Sequence, residues 1–82
     1  MINLGSETKL TPQQILERAI AYFGKGGLGL EMREDAPGCL TFSGGGGYVS
    51  VTVTTSQERK TEVSVVAQEW EQDAKSFLAK IH

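Results

Sequence analysis

Few side chains in this sequence are suited to catalysis. Its 82 residues include one cysteine, Cys39, and one histidine, His82, which is the last residue. A thiol nucleophile needs a neighbour that lowers its pKa, and no obvious one adjoins Cys39 in the sequence. A terminal histidine is difficult to hold in place for general acid–base chemistry. We therefore expect a protein that is not an enzyme, with Cys39 as a small buried or half-buried apolar side chain.

Two further patterns could hold a metal or a cofactor. Glu31, Glu34 and Asp35 could attract a hard cation, but their spacing is not that of a calcium loop, and Cys39 with His82 are too few ligands for zinc. Residues 24–29 have the glycine spacing of a dinucleotide-binding loop, yet they follow a predicted helix, whose negative end would repel a phosphate. We expect no metal and no cofactor. Anion binding by Lys25 and the glycine turns is the weakest of the alternatives.

A run of four glycines is the clearest binding candidate. Ordering four glycines costs conformational entropy. Their presence therefore indicates either that the backbone adopts conformations that other residues disfavour, or that another group approaches the backbone closely. Either a ligand or a partner backbone comes near it, or it is a hairpin tip with positive φ angles. The candidate binding residues, which lie in this loop or on the polar face of nearby predicted strands, are Gly44, Gly45, Gly46, Gly47, Tyr48, Thr52 and Glu62.

Helical hydrophobic periodicity marks two segments. Residues 11–14, Thr-Pro-Gln-Gln, form a capping box with proline at the first helical position. They predict a helix over about 11–24, ended by Gly24 in a left-handed C-cap. A second helix is predicted from about residue 68, because one apolar stripe contains Trp70, Ala74, Phe77, Leu78 and Ile81. Trp70 is expected to anchor the core.

Between the helices the hydrophobic period is two, which indicates strands with one apolar and one polar face. Four strands are predicted around residues 28–34, 39–43, 48–54 and 61–67. Turns are expected at 35–38 and 44–47, and a polar hairpin at about 55–60.

The predicted architecture is an α+β two-layer sandwich with the element order α-β-β-β-β-α. Short connections favour a four-stranded antiparallel meander, and the single apolar faces favour both helices on one side of it. Residues 1–9 are expected to be a loose arm, although Ile2 and Leu4 could pair with a sheet edge. Residues 10–82 are expected to form a single domain.

Charge and apolar runs restrict the partners. Eight Lys and Arg against ten Asp and Glu give a net charge of −2, and the cations are spread along the chain, so nucleic-acid binding lacks its usual driving force. No export signal and no apolar run near the length of a membrane span are evident. With a lone cysteine, these features favour a reducing cytoplasm and no membrane.

Two functions from different classes fit these observations. The first is a non-catalytic domain that acts through protein contacts and could be a homodimer, with free sheet edges at 28–34 and 61–67 as the contact sites. The alternative is a carrier of a small apolar ligand. Its pocket would lie between helices and sheet and be lined by Phe23, Val51, Val65, Trp70 and Phe77.

Overall fold

The computed structural model describes residues 1–55 and 60–81, which contain five strands and two helices. The strands are β1 (Ile2–Thr8), β2 (Glu31–Ala36), β3 (Cys39–Gly44), β4 (Gly47–Thr55) and β5 (Thr61–Gln68). The helices are α1 (Pro12–Phe23) and α2 (Glu71–Ile81). The predicted α+β class with two helices and an antiparallel sheet is confirmed.

The sheet has five strands rather than the four predicted. Their order is β1-β5-β4-β3-β2, and each neighbouring pair is antiparallel. Strands β2 to β5 form the expected meander, and β1 adds to it by pairing along β5, from Ile2 opposite Ala67 to Thr8 opposite Thr61. The expectation of a loose arm at 1–9 was therefore wrong, and the stated alternative, that Ile2 and Leu4 pair with a sheet edge, is confirmed. Pairing with β5 orders a segment whose own apolar pattern is limited to Ile2 and Leu4.

The core is one cluster to which both helices and the central strands contribute. Alternate residues of β4 and β5 are buried, which is the period expected of strands with one apolar face. Helix α1 contacts β4, and α2 contacts β5 and β1. The buried apolar residues are Ile15, Ala19, Phe23, Leu30, Leu40, Phe42, Val49, Val51, Val53, Val63, Val65, Ala67, Ala74, Phe77 and Ile81.

Helix α1 begins as predicted and ends differently. The Thr11 side chain accepts a hydrogen bond from Gln14 N, and the Gln14 side chain accepts one from Thr11 N, which completes the capping box. Gly24 is not left-handed, however, because its φ is −82°. A Cβ atom at Gly24 would lie 2.5 Å from the Ile20 carbonyl oxygen, so close approach of the backbone is what requires glycine there.

Helix α2 begins one residue after Trp70. The Trp70 carbonyl accepts the first helical hydrogen bond, from Ala74 N at 3.0 Å, so Trp70 stands at the N-cap position. It packs against the core cluster but is only half-buried. At the other end of α2, the Thr8 hydroxyl donates to the Ile81 carbonyl at 2.7 Å.

Strand β2 begins later than expected and is not half-buried. All six of its residues are exposed, and the apolar residue buried nearby is Leu30, which precedes the strand. The predicted hairpin at 55–60 falls largely on residues 56–59, which lie outside the described residues, as does His82. Neither helix in the described part of the chain has the length and hydropathy needed to cross a bilayer.

Candidate functional site

The four glycines form the end of the β3–β4 hairpin. Gly44 is the last residue of β3, Gly47 is the first of β4, and the turn between them has two residues. Gly45 and Gly46 occupy the turn with φ angles of 60° and 84°. Two successive positive φ angles are what a type I′ hairpin turn requires, and they match the twist of the flanking strands. The prediction of a turn at 44–47 with positive φ angles is confirmed.

This hairpin is docked against the segment that leads into α2. The Trp70 indole Nε1 donates to the Gly44 carbonyl at 2.9 Å. A Cβ atom at Gly45 would lie 2.7 Å from Trp70 Cζ2, and one at Gly47 would lie 2.1 Å from the Gln68 carbonyl oxygen. The backbone that comes close to the glycines is therefore part of the same chain. This contact within the chain explains why positions 45 and 47 are glycine.

Tyr48 lies beside the glycines, as predicted, and is half-buried. Its hydroxyl donates to Met1 Sδ at 3.2 Å, and it forms a parallel bridge with Glu69. Glu69 has a positive φ of 72°, which lets the chain turn from β5 towards α2. Tyr48 thus belongs to the contact that holds the hairpin in place.

Thr52 and Glu62 lie elsewhere, on the polar face of the sheet. Thr52 is four positions further along β4 than Tyr48, a distance of about 13 Å along the strand. With Gly5, Thr54 and Ser64, they line a shallow groove of about 420 Å³. The Thr52 hydroxyl donates to Cys39 Sγ at 3.4 Å, and Cys39 is half-buried. The seven candidate binding residues therefore form two separate groups rather than one site.

The glycine segment that follows α1 offers few amides to an anion. Gly27 N and Gly29 N donate to the Gly24 carbonyl, and Leu28 N and Leu30 N donate to the carbonyls of Tyr22 and Phe23. Because these four amides are bonded to the chain's own carbonyls, they do not form a free cradle around Lys25.

The outer edge of β2 is the most accessible strand edge with an adjoining apolar surface. Met32 is opposite Phe42 of the core and so lies on the apolar face of the sheet, but 49% of its surface is exposed. Ile20 and Leu28 are exposed as well. A groove of about 630 Å³ runs between the end of α1 and the start of β2; it is lined by Ile20, Ala21, Gly24, Lys25, Gly26, Gly29, Leu30, Glu31 and Met32. We call it the apolar groove.

The predicted free edges are half right. β2 ends the sheet, as expected for the strand placed at 28–34, whereas β5, the strand placed at 61–67, is covered by β1. The second free edge therefore belongs to β1, which is not among the four predicted strands.

The acidic residues of β2 are not gathered around a common point. Alternation along the strand places Glu31 and Glu34 on opposite faces. Asp35 stands at a register shift and accepts hydrogen bonds from Thr41 Oγ1 and, at 2.6 Å, from Arg33 Nε. These bonds, that of Thr41 first, lower the pKa of Asp35 below its ordinary value of 3.8. Within residues 1–55 and 60–81, no group of three metal-ligating side chains occurs.

A second groove, of about 550 Å³, brings together side chains that are dispersed along the sequence. We call it the basic groove. Its rim includes four cations from four segments of the chain: Lys9, Arg18, Lys60 and Lys80. Thr8, Leu10 and Ile81 also line it, together with one acid, Glu7. Sequence spacing could not reveal this group, because the end of β1, helix α1, the start of β5 and the end of α2 meet only in the folded chain.

Comparisons of this chain with protein-family models, with curated proteins and with solved structures find no match. A function for this chain therefore has to be inferred from its geometry alone. Two surfaces are candidates for binding: the edge of β2 with the apolar groove, and the basic groove.

Proposed function

We propose that this chain is a non-catalytic domain that binds protein through the outer edge of β2 and the adjoining apolar groove. One observation carries the proposal. Two of the four large apolar side chains exposed in the described residues, Ile20 and Met32, line the apolar groove beside this unpaired edge. A strand added to a sheet edge gains backbone hydrogen bonds, and grooves beside the edge receive its side chains.

The other exposed surfaces suit protein binding less well. The apolar residues of β1, Ile2 and Leu4, are half-buried and pack against the core cluster. The groove near β1 on the polar face is lined mainly by polar residues, including Glu7 and Glu62. Large exposed apolar patches, by contrast, commonly mark interaction sites.

A second copy of the chain is the partner that the charges of β2 favour. In an antiparallel pair related by a two-fold axis, side chains directly opposite each other lie on the same face. Centring the pair on Met32 places the two Met32 side chains together and each Glu31 opposite the other copy's Arg33. Centring it on Arg33 or on Glu34 would oppose like charges instead. We therefore propose a homodimer in the Met32 register.

The existing contacts of β2 are compatible with this register. Arg33 uses Nε for Asp35, and its guanidinium has further N–H donors for a second carboxylate. The register shift between Glu34 and Ala36 limits the regular edge to the residues from Glu31 to Glu34. The Met32 register uses Glu31, Met32 and Arg33 and so stays within this regular part. Charged residues and bulges also protect edges from pairing with arbitrary strands, and here they restrict the permitted register.

Charge exchange tests the homodimer. Sedimentation equilibrium over a concentration series should show a dimer for the native chain. Glu31→Arg or Arg33→Glu alone should weaken it by about tenfold or less, because each opposes like charges twice across partly exposed pairs. The double exchange Glu31→Arg/Arg33→Glu should restore dimerisation with itself.

Two further variants separate pairing from general surface effects. Met32→Lys introduces a charge at the centre of the edge and should abolish the dimer. Thr54→Lys, on an exposed position of β4, should leave it intact. A native chain that stays monomeric up to millimolar concentration would refute the homodimer. A dimer unaffected by Met32→Lys would refute the β2 edge as its site.

The alternative function, binding of a small apolar ligand, has less support. Phe23, Val51 and Val65 have no exposed surface, and Phe77 contacts Phe23 at a centroid distance of 5.2 Å. Trp70, the fifth residue of the expected pocket, donates a hydrogen bond to the Gly44 carbonyl in the glycine hairpin. A pocket lined by these residues would require the core to open.

Two finer expectations belong to the same proposal. We propose that both helices cover the apolar face of the sheet, and the single buried cluster shared by α1, α2 and the strands supports this. We also propose a reducing cytoplasmic setting, which is supported by the free thiol of the one cysteine, Cys39.

A further inference from the structure

We propose that the basic groove binds a small phosphate-bearing anion. Half of the eight lysines and arginines of the chain border this one groove, although the chain as a whole has a net charge of −2. With Glu7 included, the described side chains that line the groove have a net charge of +3. Such a local excess of cations concentrates anions from solution.

The groove cations differ in their availability. Lys60 Nζ lies 3.8 Å from Glu7 Oε2, so these two charges compensate each other. The ammonium of Lys80 lies 4.9 Å from the centroid of the Tyr22 ring, which holds the charge over the aromatic face. Lys9 and Arg18 have no ion pair or side-chain hydrogen bond within the described part of the chain. The proposal rests on Lys9, Arg18 and Lys80.

The arrangement of the cations favours phosphate over a carboxylate. Lys9, Arg18 and Lys80 come from three segments of the chain that border the same groove. A phosphate group has several charged oxygens that can be contacted at once, and a guanidinium can bind two of them in parallel. A carboxylate has only two oxygens in one plane.

The surroundings limit the size of the anion. Glu7 lines the groove. Glu62 is opposite Glu7 in the β1–β5 pair, on the polar face of the sheet. A long polyanion, such as a nucleic acid, would extend over these carboxylates and be repelled. A ligand with one or two phosphate groups can be contained within a groove of about 550 Å³.

The C-terminal end of α2 offers a competing explanation for the same cations. This end of a helix carries about half a negative charge, which lysines and arginines commonly offset. Ile81 lines the groove, and its carbonyl already accepts a hydrogen bond from Thr8. If charge balance were the whole role of the cations, they would stabilise the fold and bind no anion. Ligand titration distinguishes these two roles.

Pyrophosphate is the probe for the test, titrated into the ¹⁵N-labelled chain with ionic strength held constant by sodium chloride. We expect saturable amide shifts at Lys9, Leu10, Arg18 and Ile81. Arg18→Gln should weaken binding by about tenfold, as the loss of one charged hydrogen bond does. Arg18→Lys should recover part of the affinity.

Lys25→Gln removes the same charge outside the groove and should leave pyrophosphate affinity unchanged. Orthophosphate in a parallel titration distinguishes a single phosphate group from a diphosphate as the preferred ligand. Shifts no larger than those caused by chloride, or an Arg18→Gln variant with native affinity, would overturn the proposal. The test is independent of the β2 edge, because β1 and β2 lie at opposite ends of the sheet.

Discussion

Gly45 is restricted in two ways, and Gly46 in one. Both have positive φ angles, which side chains adopt only with strain. At Gly45 the Trp70 ring also occupies the space that a Cβ atom would need, whereas no atom lies within 4 Å of that position at Gly46. The pair therefore separates the cost of the turn from the cost of the contact with Trp70.

Alanine at each position should reveal this difference. Gly46→Ala should lower the free energy of unfolding by about 1–2 kcal/mol, the cost of left-handed backbone for a side chain. Gly45→Ala should cost about 1–3 kcal/mol more, because the ring must shift. Urea unfolding measures both. Equal losses would show that Trp70 does not constrain the hairpin.

The lowered pKa of Asp35 predicts that the stability of the fold depends on pH in the acidic range. Hydrogen bonds from Thr41 and Arg33 lower the pKa of its carboxyl below 3.8 in the folded chain. A lowered pKa contributes stability that is fully present above the pKa of the unfolded chain, for which we take the ordinary value of 3.8. This stabilisation is lost as the pH falls through the folded pKa. NMR titration of the carboxyl should show Thr41→Val raising the pKa, and Thr52→Val leaving it unchanged.

At the scale of elements, Thr8 connects the first strand to the last helix. It is buried, donates to the Ile81 carbonyl at 2.7 Å and accepts from Leu10 N at 3.2 Å. One side chain thus satisfies groups at the C-terminal end of α2 and in the loop before α1. This contact fixes both segments beside the basic groove.

Thr8→Val keeps the shape of the side chain and removes both hydrogen bonds. It should lower the free energy of unfolding by about 1–3 kcal/mol and increase amide exchange in the last turn of α2. Thr61→Val is the matched control, since Thr61 is opposite Thr8, is equally buried and has no side-chain hydrogen bond within the described residues. Comparable losses in both variants would contradict this role for Thr8.

Over the whole molecule, one apolar cluster holds the layers together. Phe77 on α2 contacts Phe23 on α1, which in turn contacts Phe42 in the sheet at 5.4 Å between ring centroids. A chain of 82 residues has a small core, so each of these rings contributes a large share of its stability.

Phe77→Ala should therefore cost about 3–5 kcal/mol in urea unfolding, which approaches the total stability of a small domain. Leu78→Ala, at the neighbouring half-buried position, should cost less, because a smaller and partly exposed surface is lost. A Phe77→Ala variant with native stability would contradict the single-cluster core.

Local patterns in the sequence determined much of the fold. The capping box of α1, the turns expected at 35–38 and 44–47, and the alternation of β4 and β5 could be predicted because each depends on residues close together in the chain. In the structure these turns are confined to residues 37–38 and 45–46. The amphipathic stripe of α2 belongs to the same class. Short-range sterics, hydrogen bonding and hydrophobic periodicity suffice for these elements.

Only the tertiary structure decided which distant residues meet. β1 could not be assigned with certainty from its own pattern, because its order comes from pairing with β5, whose residues lie 53 to 65 positions later in the chain. The contact between Trp70 and Gly44, and the meeting of Lys9, Arg18, Lys60 and Lys80, depend in the same way on packing across the sequence. Periodicity shows which face of an element is apolar, but long-range packing determines which elements lie next to it. Because each candidate site combines residues from distant segments, only the folded chain shows it.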